Sequence, residues 1–137
     1  MNRTGTKKVL IMDSDALLRD LLGFVLTRMG YETECVGHGA EAIAAYQQAM
    51  AAGHPFTTVI LDLCVPIGIG GLATITSLRQ VDPQVNAIVC SDSTNEPVMA
   101  AFAEYGFKGV LTKPFTVREL QSVIRRVAGG QPLKAES

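Results

Sequence analysis

Short apolar runs alternate along the chain with stretches of helical spacing. Lys8-Val9-Leu10-Ile11-Met12 predicts a first strand. Leu17, Leu18, Leu21, Leu22, Val25, Leu26 and Met29 follow at helical spacing, and Gly30 sits where a left-handed residue ends a helix. Residues 31–36 predict a second strand, more exposed because polar residues alternate in it. An alanine-rich helix over 39–52 is closed by Gly53 and Pro55. A third strand is predicted over 57–61. A glycine-rich stretch, Ile67-Gly68-Ile69-Gly70-Gly71, then leads to a helix over 72–81. The fourth strand is 86–90, the fourth helix 97–105 stopped by Gly106, and the fifth strand 109–112. Thr116 is placed to cap a last helix whose Leu120, Val123, Ile124 and Val127 form one stripe, ended by Gly129-Gly130.

Five strands alternating with five helices form a βα repeat, which predicts an α/β fold: a parallel sheet with helices on both faces. Such sheets bind ligands beyond the carboxyl ends of their strands. That edge collects Asp13, Asp62, Ser91 and Lys113, each at a predicted strand end. An acid cluster, a central carboxylate and a lysine point to a site that handles a phosphoryl group with a divalent metal.

Composition narrows the picture. The chain has 137 residues, 47% hydrophobic and 18% charged, enough for one domain with a substantial core. Net charge is -1, so no basic nucleic-acid footprint is present. No apolar run approaches a membrane span, and residues 1–6 lack the apolar core of a signal peptide, so a cytoplasmic location is expected. Cys35, Cys64 and Cys90 are odd in number with no CxxC spacing and are expected to be reduced and mostly buried. His38 and His54 are too few for a histidine-rich metal site, and His54 beside Gly53 and Pro55 reads as a loop residue. Gly68, Gly70 and Gly71 form no phosphate fingerprint and read as a flexible turn. Arg125 and Arg126 read as solvated residues near a helix C-terminus.

Val9-Leu10-Ile11-Met12-Asp13, Val59-Ile60-Leu61-Asp62-Leu63-Cys64-Val65-Pro66, Ala87-Ile88-Val89-Cys90-Ser91 and Lys113-Pro114-Phe115 stand in the order of a response-regulator receiver domain, which the chain resembles. The segments 93–99 and 65–71 resemble receivers appended to hybrid sensor histidine kinases. The resemblance implies a flavodoxin-like (βα)5 sandwich with strand order 2-1-3-4-5, a receiver domain over 7–128, flexible tails at 1–6 and 129–137, and no output domain in this chain.

For chemistry it implies that Asp62 accepts a phosphoryl group from a phosphohistidine on a sensor kinase or histidine phosphotransfer protein. Mg²⁺ or Mn²⁺ would be held by Asp13, Asp62 and the Cys64 backbone carbonyl. Lys113 would pair with the carboxylate and then the phosphate, and Ser91 would donate its hydroxyl. A downstream protein would bind the face of helix 4, strand 5 and helix 5. The Lys113–Pro114 bond resembles one that is often cis in the family. The domain would assist its own phosphorylation and dephosphorylation without acting as an enzyme on an external metabolite.

Two departures matter. Receivers usually carry two adjacent acids after strand one; here the second is Ser14, a poorer metal ligand. Asp15 and Asp92 are candidate substitutes, although Asp15 also reads as a helix N-cap and Asp92 as a solvated loop residue. Val110 stands where many receivers place a mobile aromatic, so switching is expected to run through residues 91–97 and the fourth helix. Of Phe102, Tyr105 and Phe107, at least two are expected in the core and the rest on the output face. Two alternatives compete: a phosphorylation-independent pseudo-receiver, favoured by Ser14, and a haloacid-dehalogenase-type phosphatase using Asp13 as nucleophile in Asp13-Ser14-Asp15.

Overall fold

The computed structural model describes residues 7–65, 68–92 and 96–129. Of the expected tails at 1–6 and 129–137, Gly129 instead ends the last helix, and 1–6 and 130–137, with Pro66, Ile67 and 93–95, lie outside the described residues. Five strands are described: β1 (Lys8–Met12), β2 (Glu32–Val36), β3 (Thr58–Asp62), β4 (Ala87–Ser91) and β5 (Gly109–Thr112). They alternate with α1 (Ala16–Arg28), α2 (Gly39–Ala51), α3 (Gly71–Val81), α4 (Pro97–Ala100) and α5 (Val117–Gly129). The strands pair in parallel in the order β2-β1-β3-β4-β5, the flavodoxin-like order.

Side chains on a strand alternate between faces, and the two faces feed two separate cores. Leu10, Met12, Val59, Leu61, Ala87 and Val89 pack with Tyr46 of α2 and with Ile75 and Leu78 of α3. Val9, Ile11, Ile60, Ile88 and Leu111 point the other way, onto Leu22 and Leu26 of α1 and Leu120 and Ile124 of α5. Full burial of each such side chain is worth roughly 1.5–3 kcal/mol. The two cores hold β1, β3 and β4 rigidly, and therefore also their carboxyl ends.

Several local expectations change. The fourth helix stops at Ala100, and Phe102–Tyr105 form a separate 3-10 turn, because Ala101 leaves helical geometry at φ -124° and ψ 45°. Gly106 then closes the turn at φ 99°, a conformation glycine adopts without strain. In α1 only Leu18, Leu22, Val25, Leu26 and Met29 join a core, while Leu17 and Leu21 lie in solvent at 77% and 48% exposure. Seven apolar positions span a wider arc than one packing face can cover. Cys90 is buried, but Cys35 on the edge strand β2 and Cys64 in the loop after β3 are exposed, against the expected burial; all three are free. Phe107 is buried and Phe102 packs partly against the same core, leaving Tyr105 outside.

The turn at Gly70-Gly71 proves to be a packing requirement and not a flexible spacer. A Cβ at Gly70 would stand 2.5 Å from the Leu63 carbonyl oxygen, and one at Gly71 would stand 2.8 Å from that of Asp62. The start of α3 therefore lies directly on the end of β3, closer than any side chain permits. Gly71→Ala is expected to destabilise the protein by about 2 kcal/mol, since both contacts are backbone and cannot yield; chemical denaturation of the two proteins checks this.

Candidate functional site

β1 and β3 are neighbours at the centre of the sheet, with Met12 opposite Leu61. The next residues, Asp13 and Asp62, therefore emerge side by side. Both are nearly buried, at 2% and 6% exposure. Ser91 ends β4 and is buried at 4%. Lys113 follows β5; its N–H donates to the Ser91 carbonyl at 2.8 Å, and its bond to Pro114 is cis.

The Lys113 side chain brings these ends together. Its Nζ lies 3.0 Å from Asp13 Oδ2 and 3.6 Å from Asp62 Oδ1. Asp13 Oδ1 accepts the Asp15 N–H at 2.9 Å. Asp62 accepts a hydrogen bond from the Cys64 N–H. Asp13, Asp62 and Lys113 thus meet at the carboxyl edge, and Ser91 joins them there through its backbone carbonyl.

Electrostatics follow from this crowding. Burial, and then the adjacent charge of Asp13, push the Asp62 carboxyl up to about 6, against the opposing pull of Lys113 and of the Cys64 N–H. Burial works to lower the Lys113 ammonium, but the Asp13 hydrogen bond and the Asp62 charge outweigh it and the group is raised. Lys113 therefore stays charged while Asp62 is held close to its titration range. Burial also pushes the Cys90 thiol up to about 12, which leaves it unreactive.

The secondary candidates separate. Asp15 caps α1, its Oδ1 accepting the N–H groups of Leu17 at 3.0 Å and Leu18 at 3.4 Å, so its helix role occupies it. Ser14 and Asp92 are exposed at the rim of the cleft. The Cys64 carbonyl stands two residues beyond Asp62 in the loop that carries that N–H donor. His54 is an exposed loop residue whose Nε2 lies 3.0 Å from Glu32 Oε1. Arg125 and Arg126 are exposed on α5. Among the described residues no group of three His, Cys, Asp or Glu side chains stands ready to hold a metal. The donor set is two carboxylates with a lysine between them. It fits a hard divalent cation that keeps several waters and takes oxygen ligands.

The expected Thr116 cap is present, while the answering role of Glu119 and the Arg19 contact to Asp13 escape the sequence reading. Thr116 and Glu119 form a reciprocal capping box, Glu119 N–H to Thr116 Oγ1 at 3.0 Å and Thr116 N–H to Glu119 Oε1 at 2.9 Å, which the spacing Thr-x-x-Glu signals. Arg19 Nη1 donates to the Asp13 carbonyl at 2.7 Å, a contact no sequence spacing announces.

The chain belongs to the response regulator receiver domain family, whose model matches residues 9–125. It is therefore a receiver domain of the two-component signalling class. It is similar to the transcriptional regulatory protein AruR of Pseudomonas aeruginosa, 33% identical over 128 residues, which are 90% of this chain and 52% of that protein. Among solved structures it resembles chemotaxis protein CheY4 of Vibrio cholerae, with TM-score 0.80, 26% identity, and coverage of 90% of this chain and 99% of the other. It also shares the fold of the receiver domain of sensor histidine kinase PA1611 from Pseudomonas aeruginosa, solved with a magnesium ion coordinated in its active site cleft. There the TM-score is 0.78 at 18% identity, covering 91% of this chain and 99% of the other. The chain spans about half the length of AruR and of two further curated relatives, RegX3 and MtrA. Among the described residues no helix is long and apolar enough to cross a membrane.

The raised Asp62 carboxyl has a direct thermodynamic consequence. A group whose folded-state value lies above its ordinary 3.8 favours the protonated folded protein. That contribution is present below about pH 4 and is lost as pH climbs through 6. In metal-free buffer, Asp62→Asn is expected to stabilise the protein at pH 7.5 by roughly 2 kcal/mol and to flatten the pH dependence between 4 and 7. Thermal unfolding with a chelator present checks both.

Proposed function

We propose that the chain receives a phosphoryl group on Asp62 from a phosphohistidine of a partner protein and relays or switches a signal through that modification. The supporting observation is one ammonium, Lys113 Nζ, shared by the two nearly buried carboxylates of Asp13 and Asp62 at the carboxyl edge of the sheet. A carboxylate is a competent nucleophile, and phosphoryl transfer depends chiefly on positioning and on neutralising charge at the transferring oxygens. Asp13, Asp62 and the Cys64 carbonyl would hold a divalent cation, which when bound supplies that neutralisation. Lys113 serves twice, holding the resting Asp62 and then standing in position for a phosphate oxygen. Ser91, buried at the end of β4, supplies a hydroxyl on the opposite side of the Asp62 carboxylate from Asp13.

The partner's approach is read from α1. Leu17, Leu21 and Phe24 are exposed at 77%, 48% and 62%, and with Asp15, Leu18 and Asp20 they line a groove of about 570 Å³. α1 starts three residues after Asp13, so this apolar face borders the cleft. A helix that presents a phosphohistidine could bury its own apolar stripe there while the phosphoryl group reaches Asp62. A second partner, downstream, would bind the face of α4, β5 and α5.

The second reading is a pseudo-receiver that binds partners without phosphate. Ser14 favours it, because a neutral exposed hydroxyl replaces an acid and Asp15 is committed to capping α1. The phosphatase reading loses its support: the chain belongs to the receiver family, and Asp15, the acid/base it requires, is bound into the helix start.

With acetyl phosphate and Mg²⁺, mass spectrometry is expected to show one phosphoryl group on the wild type and none on Asp62→Asn. An unmodified wild type that also resists a cognate kinase selects the pseudo-receiver. Ser14→Asp is expected to tighten Mg²⁺ about tenfold, followed by amide shifts at the cleft; equal affinities would show that Ser14 does not limit cation binding. Leu21→Glu is expected to slow transfer from a phosphohistidine donor at least tenfold. The same variant should leave acetyl phosphate labelling within about twofold, because the small donor needs no docking surface.

A further inference from the structure

Arg19 is a charged residue of α1 that none of these roles uses. Its Nη1 donates to the backbone carbonyl of Asp13 at 2.7 Å, while the carboxylate of the same residue turns to Lys113 at 3.0 Å. The other Asp13 oxygen accepts the Asp15 N–H at 2.9 Å. Asp15 caps the helix that carries Arg19, and the Arg19 N–H donates to the Asp15 carbonyl at 3.0 Å. Asp13, Asp15 and Arg19 therefore close a ring around the β1–α1 turn, with the guanidinium as its longest-reaching member.

The guanidinium also lies near the carboxylate of Glu41 on α2. A Cβ built at Gly37 would stand 3.8 Å from Arg19 Nη1 and 3.6 Å from Glu41 Oε1, so both groups lie over the same glycine at the end of β2. Glu41 Oε1 accepts the Gly37 N–H at 2.8 Å, and that bond leads the causes that hold its carboxyl below its usual range, with the charges of His38 and Arg19 among the rest. Arg19 thus sits between a carbonyl of the cleft and a carboxylate of α2.

We propose that Arg19 is a positioning residue for the phosphoryl-transfer site, fixing the Asp13–Asp15 turn from behind so that the Asp13 carboxylate faces Asp62 and a divalent cation. The proposal rests on Asp62 being the phosphoacceptor. It matters more here than in a site with two adjacent acids. With Ser14 next in the chain, Asp13 is the cleft's one carboxylate from this turn, and its orientation has no neighbour to compensate for it. Groups that hold a metal ligand from outside commonly affect cation affinity by about 10-fold or more.

The full chain is compared as wild type, Arg19→Gln, Arg19→Lys and Glu41→Gln. In Arg19→Gln the Asp15 amide is expected to exchange with solvent about 10-fold faster, while amides of β3 and β4 keep their rates. Arg19→Lys should recover most of that protection and Glu41→Gln should fall between. The Mg²⁺ concentration for half-maximal acetyl phosphate labelling should rise about 10-fold in Arg19→Gln, with the rate at saturating Mg²⁺ within about twofold of wild type. Unchanged Asp15 exchange in Arg19→Gln overturns the proposal, as does a loss confined to the saturated rate. If Arg19→Gln does not fold, Glu41→Gln carries the test, and Asp15 exchange at the wild-type rate there overturns it. A wild type with no Mg²⁺ response and no label removes the phosphoacceptor reading instead, and Asp15 exchange still decides whether Arg19 holds the turn.

Discussion

Two carboxylates emerge side by side from a nearly dry sheet edge, and a single ammonium holds them there. Without Lys113, Asp13 and Asp62 would repel one another in a site too buried for water to screen them. The lysine directly follows β5, two strands away from β3 in the order β2-β1-β3-β4-β5. Adjacent strands lie about 4.8 Å apart, so the ammonium must reach across the end of β4. A long, flexible side chain does that, and the bond from the Lys113 N–H to the Ser91 carbonyl sets its starting point. The strand order is therefore part of the site: it places the acids on adjacent central strands and the cation one strand beyond reach of anything shorter.

Rigidity at that edge is supplied from both faces. Alternating side chains of β1, β3 and β4 enter two cores, so neither strand end can shift without disturbing packing above and below. The loop after β3 is pinned by another means. Gly70 and Gly71 bring α3 onto the Leu63 and Asp62 carbonyls, and the Cys64 N–H turns back onto the Asp62 carboxylate. What remains open is the rim, where Ser14, Cys64 and Asp92 are exposed. The acids stand on a fixed floor and are approached through an exposed edge.

The strands and the cleft are legible in the sequence because both depend on short-range signals. Continuous apolar runs ending in Asp13, Asp62 and Ser91 mark buried parallel strands and their functional ends together. The failures share one physical cause: they depend on what lies across from a residue. Leu17 and Leu21 have helical spacing but face outward, because the neighbouring elements cover only part of the arc. Cys35 and Cys64 follow their positions on an edge strand and a loop, and the general tendency of free cysteine to be buried does not decide them. The fourth helix breaks at Ala101, a residue of high helix propensity, so the local sequence there predicts a continuous helix. Gly70 and Gly71 look loose in the sequence because a contact between backbones leaves no mark there except the glycines themselves.

On the proposed reading, Ser14 shifts the charge balance of the cleft in a direction that suits transfer better than storage of a cation. Asp13 and Asp62 contribute -2 and Lys113 contributes +1, so the resting cleft carries -1 when both acids are ionised. A divalent cation takes it to +1, and an incoming phosphoryl group with about two negative charges at neutral pH returns it to about -1. A third acid would start the cleft at -2 and leave it neutral with the cation bound. On the proposed reading, this cleft therefore binds its cation less tightly, yet presents net positive charge to the phosphoryl group at the moment of transfer. That gain exists only if the cation is present when the donor arrives. It places the whole demand on how well Asp13 is aimed, and so on the turn that Arg19 closes from behind.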